Sequence, residues 1–242
     1  MEIGSVLEAL RARGNANTAK TYRRHGAVGE TWGVSYADLA VLTRTLRGRH
    51  DLAEPLWATG VHDARILATK IADAEALSRE TIEAWLADAA ERGTANAVAD
   101  VAAVRADAET IAADWAGRPG EWTGTAGWSV YASLAMAGRL GDETARGLVA
   151  RARVTLHGAP NMVRHHMNMA LIAIGIRCPE VRDEVHAAAH AIGPVRVDHG
   201  QTGCLTPEIV PYIARAVARQ AARAPKAPRP SRTRRASPAL AE

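Results

Sequence analysis

The sequence contains no Phe, and aromatic residues make up only 4% of its 242 residues. A core without Phe must be built from Ala, Leu, Val and Ile, with the six Trp residues as its largest side chains. Small side chains of this kind let helices pack closely, and a chain of this length can bury a core without cross-links. The composition therefore excludes a small domain that depends on disulfides.

Cysteine is nearly absent, and long apolar runs are missing. Only Cys178 and Cys204 occur, and the N-terminal residues MEIGSVLEAL lack the cationic start and apolar run of a secretory signal. The closest candidate, residues 167–176, contains Asn168 and is shorter than the roughly 18 apolar residues that a membrane-spanning helix needs. We therefore expect a cytoplasmic protein, close to the nucleoid when it binds DNA, with no membrane partner.

Basic residues are concentrated near the C-terminus. Eight of the 30 Lys and Arg residues lie in residues 215–235, so residues 1–214 hold 22 basic and 25 acidic residues. The Pro-, Ala- and Arg-rich residues 222–242 have too little apolar surface to form a core, which predicts a disordered basic tail after one domain at 1–221. Such a tail could bind an anionic polymer. A tail that only improves solubility is the alternative.

Helical periodicity recurs along most of the chain, and no segment alternates as a strand would. It predicts helices at 35–47, 62–73, 79–91, 95–116, 121–139, 142–156, 161–176, 179–192 and from Glu208 onwards, with Ser35, Asp51 and Ser78 as N-caps. Helix pairs of about 35–45 residues are typical of a HEAT-type solenoid, and a compact helical bundle is the alternative. The Gly- and Pro-rich residues 193–207 form a loop that is long enough to have a function.

Several blocks of sequence are more specific than this periodicity. They are Thr21-Tyr22-Arg23-Arg24-His25-Gly26, Trp32-Gly33-Val34-Ser35-Tyr36-Ala37-Asp38-Leu39, Leu56-Trp57-Ala58-Thr59-Gly60, His62-Asp63-Ala64-Arg65-Ile66-Leu67, Ala159-Pro160-Asn161, Leu171-Ile172-Ala173-Ile174-Gly175 and Val197-Asp198-His199-Gly200. In this order they resemble the DNA alkylation repair family of HEAT-like-repeat, AlkD-like proteins. The resemblance extends from about Thr18 to Ala214, and it implies a right-handed α-α superhelix of the HEAT/ARM type.

The resemblance also implies an activity and a partner. Proteins of this family bind duplex DNA with alkylated bases on a concave face and excise cationic N3- or N7-alkylated purines, without a cofactor or a metal. The family's catalytic carboxylate corresponds to Asp100, whereas Asn96 stands where the family has an aromatic residue. A phosphate-binding Arg of the family corresponds to Thr125, and a second aromatic corresponds to Met169. We take the protein to be a monomer.

The residues expected to contact DNA are basic or aromatic: Arg23, Arg24, His25, Trp32, Arg65, Trp122, Trp128 and Arg164. Trp32, Trp122 and Trp128 lie near Gly, so they could line a surface groove, whereas Trp57 and Trp85 are expected in the core. For each basic residue the alternative is a structural role, such as complementing a helix dipole or forming an internal salt bridge. For Asp100 the alternative is an ordinary solvated carboxylate.

Two other functional classes remain open at this point. A catalytically inactive relative could use the same surface to bind DNA or a protein, and the replacements at Asn96, Thr125 and Met169 favour it. A metal site is the other, because His186 and His190 are four residues apart on one predicted helix, where they could share a metal ion. His165, His166, His199 and Cys204 could supply further ligands. The sequence contains no HExxH or CxxC motif to complete such a site.

Overall fold

The computed structural model describes residues 2–223, in which every regular element is a helix. In order these are α1 (Ile3–Arg11), α2 (Ala16–Arg24), α3 (Tyr36–Thr45), α4 (Ala53–Ala58), α5 (His62–Ile71), α6 (Arg79–Asp88), α7 (Arg92–Val104), α8 (Ala108–Gly117), α9 (Glu121–Met136), α10 (Asp142–Thr155), α11 (Asn161–Arg177), α12 (Arg182–Ile192) and α13 (Ile209–Arg223). The prediction of an all-α protein is confirmed. Within this part of the chain no helix has the length and apolar character that would let it cross a membrane.

The C-terminal boundary differs slightly from the predicted one. Helix α13 continues through Ala222 and Arg223, the first residues of the predicted tail. The rest of that tail, residues 224–242, lies outside the described residues.

From α4 to α13 the helices form five successive pairs. The second helices of these pairs, α5, α7, α9, α11 and α13, contact one another in that order and form a continuous layer. Each first helix packs against its own partner, and α10 also contacts α12. This stacking of helix pairs, each in contact mainly with its neighbours, is the arrangement of a HEAT-like superhelix.

Two of the three predicted N-caps are confirmed. The hydroxyl of Ser35 accepts the backbone N–H of Asp38 at 3.1 Å, and Ser78 caps α6 in the same way. The prediction for Asp51 is wrong, because its carboxylate binds the guanidinium of Arg49 at 2.6 Å and caps no helix. Asp51 lies in a short 3-10 turn that precedes α4.

Residues 95–116 were predicted as one helix, but they form parts of α7 and α8. The chain turns at Arg105, whose backbone is extended. The guanidinium of Arg105 donates to the carbonyl oxygen of Leu77 at 2.9 Å and to the carboxylate of Asp107 at 2.8 Å. The guanidinium of Arg139 donates to the carbonyl oxygens of Ala103 and Arg105, which lose their helical partners at this turn. The bond from Arg105 to Leu77 joins residues 28 positions apart, so local periodicity cannot predict it.

Helix α9 is covered on several sides because it packs against α7, α8 and α11. Gly127 lies against the backbone of Ala116, where a Cβ atom would stand 2.3 Å from the amide nitrogen. Only glycine permits so close an approach of the two helices. Thr125 is fully buried and Trp128 is 1% exposed. The middle of α9 is therefore part of the core.

Two other tryptophans form a large contact within the core. Trp57 and Trp85 are almost fully buried, and their rings stack with centroids 4.7 Å apart. Their predicted role in the core is confirmed. This pair joins α4 to α6 and ties neighbouring helix pairs together.

The loop at 193–207 is held against α11. The side-chain amide of Asn161 donates to the carbonyl of Asp198 at 2.7 Å and accepts the N–H of the same residue at 2.8 Å. Further along α11, Asn168 donates to the carbonyl oxygen of Pro207 at 3.0 Å. These hydrogen bonds hold the loop beside α11, and we call residues 193–207 the fixed loop.

Candidate nucleic-acid interface

A half-open cavity of about 480 Å³ lies among α2, α5, α7 and α11. We call it the central groove. Its polar and aromatic lining consists of Thr21, Tyr22, His25, Tyr36, His62, Lys70, Glu91, Arg92, Asn96, Asp100, His165 and His166. Because these residues come from distant parts of the chain, the stacking of the helix pairs is what creates the groove.

Helix α7 supplies one wall of the central groove. Arg92, Asn96 and Asp100 are each four residues apart, so their side chains lie on one face of the helix. The side chain of Asp100 is exposed to solvent at the groove surface. The surrounding walls remove part of its hydration and raise the pKa of the carboxyl above its ordinary value, while the charge of Lys70 acts in the opposite direction.

Glu91 is the other carboxylate in the lining of the central groove, and it has a structural role. Its side chain accepts the backbone N–H groups of Gly93 and Thr94, and it is 4% exposed. His62 approaches the same carboxylate, with its Nδ1 atom 3.7 Å from Oε1. Since Glu91 caps α7, Asp100 is the carboxylate in this lining that remains free for a ligand.

Lys70 and Tyr36 line the central groove together with Asp100. The ammonium nitrogen of Lys70 is 5.6 Å from the centroid of the Tyr36 ring, a cation–π contact. Tyr36 is 54% exposed. Desolvation and the charges of Glu91 and Asp100 raise the pKa of Tyr36, so its hydroxyl stays protonated at neutral pH.

Arg92 also lines the central groove, together with His25, His165 and His166. The guanidinium of Arg92 is 3.3 Å from Nδ1 of His25. The ring of His165 lies 5.2 Å from that of His166 and 5.1 Å from that of His199. Burial is the main cause that lowers the pKa of His165 and of His166 to about 4, so both rings are neutral at pH 7.

The central groove continues into a smaller cavity of about 300 Å³. The two cavities share His25 and Arg92, and the smaller one is also lined by Arg24, Trp122 and residues 198–200 of the fixed loop. We call the two adjoining cavities the channel. Arg24 and Arg92 contribute positive charge to the smaller cavity, and Glu121 and Asp198 contribute negative charge.

The structure brings together part of the set of residues predicted from the sequence. Asp100 and His25 line the central groove, together with Asn96 at the position expected for an aromatic residue. Arg24 and Trp122 line the adjoining cavity. These residues share one surface, although they are up to 98 positions apart in the sequence.

Five of the predicted DNA contacts do not line this channel: Arg23, Trp32, Arg65, Trp128 and Arg164. Arg23 is exposed at the end of α2 but lies outside both linings. Trp32 packs partly against the core, and its indole nitrogen donates to Glu30 at 2.7 Å. Arg65 lies over the Trp57 ring at 5.0 Å and forms a salt bridge with Asp88 at 3.5 Å. For Arg65 the structural alternative therefore describes the contacts observed.

The other residues singled out from the sequence are buried or partly buried. Trp128 cannot provide a surface platform, because its ring is buried in the core of α9. Thr125 is also fully buried, so its side chain is not available to a phosphate, and its correspondence to the family's Arg stays a prediction. Arg164 is partly buried and lines neither cavity, and Met169 packs against the core.

Lys70 and Arg92 are the functional candidates that the sequence reasoning missed. Each stands four residues from another lining position, Ile66 for Lys70 and Asn96 for Arg92. This spacing is a weak signal, since every helix contains many such pairs. No group of three His, Cys, Asp or Glu side chains in residues 2–223 is arranged to hold a metal ion.

Comparison with known proteins gives a consistent result. A family model described as DNA alkylation repair enzyme matches residues 6–190. The uncharacterized protein Lin0241 of Listeria innocua is 29% identical over 223 residues, which cover 89% of this chain and 96% of the relative. The uncharacterized protein Lmo0209 of Listeria monocytogenes has the same identity and coverage.

A solved structure is similar in fold, with a TM-score of 0.84 at 24% identity over 91% of this chain and 95% of that one. It is described as belonging to a new family of proteins related to the HEAT-like repeat DNA glycosylases with affinity for branched DNA structures. At this identity the likeness supports the HEAT-like fold and nothing finer. The family model, in contrast, covers most of the sequence, and the chain therefore belongs to the DNA alkylation repair enzyme family.

Proposed function

We propose that the central groove binds DNA and that Asp100 assists the excision of cationic alkylated purine bases from it. The observation that carries this proposal is the position of Asp100, a free carboxylate in one groove with the cationic Lys70 and Arg92. Lys70, Arg92 and Arg24 provide charges that can neutralise phosphates along the channel. The protein would act as a monomer, in the cytoplasm, on the DNA of the nucleoid.

The chemistry requires little more than a placed carboxylate. When the bond between the sugar C1′ atom and the alkylated base breaks, the electron pair leaves with the base, which thereby loses its positive charge. The sugar develops oxocarbenium character, which the Asp100 carboxylate can stabilise, and water then adds to C1′ and loses a proton. Tyr36 offers an exposed aromatic ring in the same groove, although the position of the expected aromatic holds Asn96.

A second candidate function is the binding of branched DNA without excision. Asn96 favours it, because an amide cannot provide the aromatic face expected next to the sugar. The affinity for branched DNA described for the structurally similar family also favours it. The same groove and the same cations would serve this function.

One assay separates the two candidates. The full-length protein is incubated with methylated duplex DNA, and free 7-methylguanine and 3-methyladenine are quantified against a reaction without protein. Release with turnover supports excision. Binding to a three- or four-way junction without any release, at protein in excess over sites, supports the second candidate and rejects the first.

The pH dependence of base release should report the state of Asp100. Because the carboxylate is the active form and its pKa is raised, protein-dependent release should fall on the acid side, with a midpoint above the ordinary pKa of an aspartate carboxyl. Lys70→Met removes a charge that lowers this pKa, so the midpoint should move further upward. Initial rates between pH 4 and 8, corrected for spontaneous release, measure both midpoints. A midpoint that is lower in the variant would contradict the assignment.

A further inference from the structure

His166 presents a hydrogen-bond acceptor in the wall of the central groove. It is 6% exposed, and its Nδ1 atom lies 2.9 Å from the carbonyl oxygen of Met162. A carbonyl oxygen can only accept, so Nδ1 must carry the proton. In the neutral ring, Nε2 is therefore an unprotonated acceptor, and it makes no hydrogen bond within residues 2–223.

Other polar atoms of the same cavity also lack partners. The side-chain oxygen of Asn96 and the Nδ1 atom of His165 are buried and form no hydrogen bond among residues 2–223. Both residues line the central groove together with His166. Buried polar groups without partners cost stability, so a ligand that enters this cavity and supplies the missing bonds gains affinity from them.

The hydrogen-bonding character of these atoms indicates which kind of ligand they could bind. A phosphate would face the lone pair of His166 Nε2 rather than a donor, and the neutral His165 and His166 rings offer it no charge. An N–H donor fits the acceptors of His166 and Asn96, and a planar ring fits beside Tyr22 and Tyr36. Lys70 and Arg92 also line this cavity and could hold phosphates on either side of such a group.

We propose that the central groove receives one unpaired nucleobase with an exocyclic amino group, whose N–H groups donate to Nε2 of His166 and to the side-chain oxygen of Asn96. The inference rests on the proposed binding of DNA in this groove and adds what is recognised there. A cavity of about 480 Å³ has room for a base together with its sugar. Bases that are already unpaired, as at a bulge or a branch point, are the preferred ligands because they need not be unpaired first.

The test compares three DNAs of otherwise identical sequence: a fully paired duplex, a duplex with one bulged adenosine, and a duplex with one bulged abasic analogue. Both bulged DNAs share the same backbone defect and differ only in the base. We expect full-length protein to bind the adenosine bulge about 10-fold more tightly than the abasic bulge, the gain typical of one stacked or hydrogen-bonded base. Fluorescence anisotropy at one salt concentration measures all three dissociation constants.

The variants His166→Phe and Asn96→Leu keep similar side-chain volumes and remove the acceptors. Each should lower the preference for the adenosine bulge from about 10-fold to less than 3-fold. His157→Phe is the matched control, because His157 lies outside the central groove and should keep the preference. Asn96→Leu keeps the test valid if His166→Phe fails to fold.

Each outcome has a distinct meaning. Equal affinity of the wild type for the two bulged DNAs would overturn the nucleobase site while leaving DNA binding intact. An unchanged preference in both folded variants would also overturn it. No measurable binding to any of the three DNAs would instead reject the proposed function itself.

Discussion

Asp100→Asn is expected to abolish the release of alkylated purines, lowering the single-turnover rate by at least about 100-fold. The substitution keeps the size and hydrogen-bonding capacity of the side chain but removes the charge that would face the developing cation at the sugar. DNA affinity should change by less than about 3-fold, because a carboxylate in the groove contributes no attraction to phosphates. Release is followed with labelled methylated duplex under conditions in which all DNA is bound.

The matched control for this prediction is Asp142→Asn. Asp142 is an exposed carboxylate at the start of α10, which lies away from the central groove. Its substitution makes the same chemical change and should leave both release and binding unaltered. If Asp100→Asn retains more than half of the wild-type rate, Asp100 has no part in the chemistry.

Asp63→Ala is expected to cause the largest loss of stability, about 3–5 kcal/mol. Asp63 is fully buried at the start of α5, and its carboxylate accepts the backbone N–H groups of Trp32 and Val34, both at 2.7 Å. It also accepts the hydroxyl of Thr31 at 3.0 Å. Removal of the carboxylate leaves several buried donors without a partner, and each costs about 1–3 kcal/mol. Urea unfolding followed by circular dichroism measures the effect.

This prediction also bears on the central groove. The backbone bound by Asp63 leads directly into Ser35 and into Tyr36 at the start of α3, so its release should displace the exposed Tyr36 ring. Asp51→Ala is the control, since Asp51 is an exposed carboxylate whose ion pair with Arg49 is screened by solvent. The urea midpoint of this variant should match that of the wild type. A midpoint of Asp63→Ala close to that of Asp51→Ala would show that the loop is held by other contacts.

The sequence predicted most of the helices from α3 onwards, and the family resemblance placed Asp100 on one of them. The four-residue spacing from Asn96 to Asp100 places both side chains on one face of a helix, and the structure brings that face into the groove. Ser35 and Ser78 could be read as caps because capping depends on residues three positions apart. These successes all concern interactions within one helix.

The errors concern interactions between helices. Trp128 lies on α9, and nothing in its local sequence shows that α7, α8 and α11 cover this helix. The break at Arg105 contains no Gly or Pro, and it depends partly on a bond to the distant carbonyl of Leu77. Lys70 and Arg92 acquire a meaning only when α5 and α7 are placed side by side.

The salt dependence of DNA binding tests the central claim, that the groove formed by α2, α5, α7 and α11 holds DNA. The double variant Lys70→Gln/Arg92→Gln removes two phosphate contacts, so a plot of log K against log salt should become shallower by about 1.8 for duplex DNA. The double variant Arg146→Gln/Arg153→Gln removes the same charge from α10, outside the groove, and should keep the wild-type slope. A slope that is unchanged in Lys70→Gln/Arg92→Gln, or altered equally in both variants, would contradict this account.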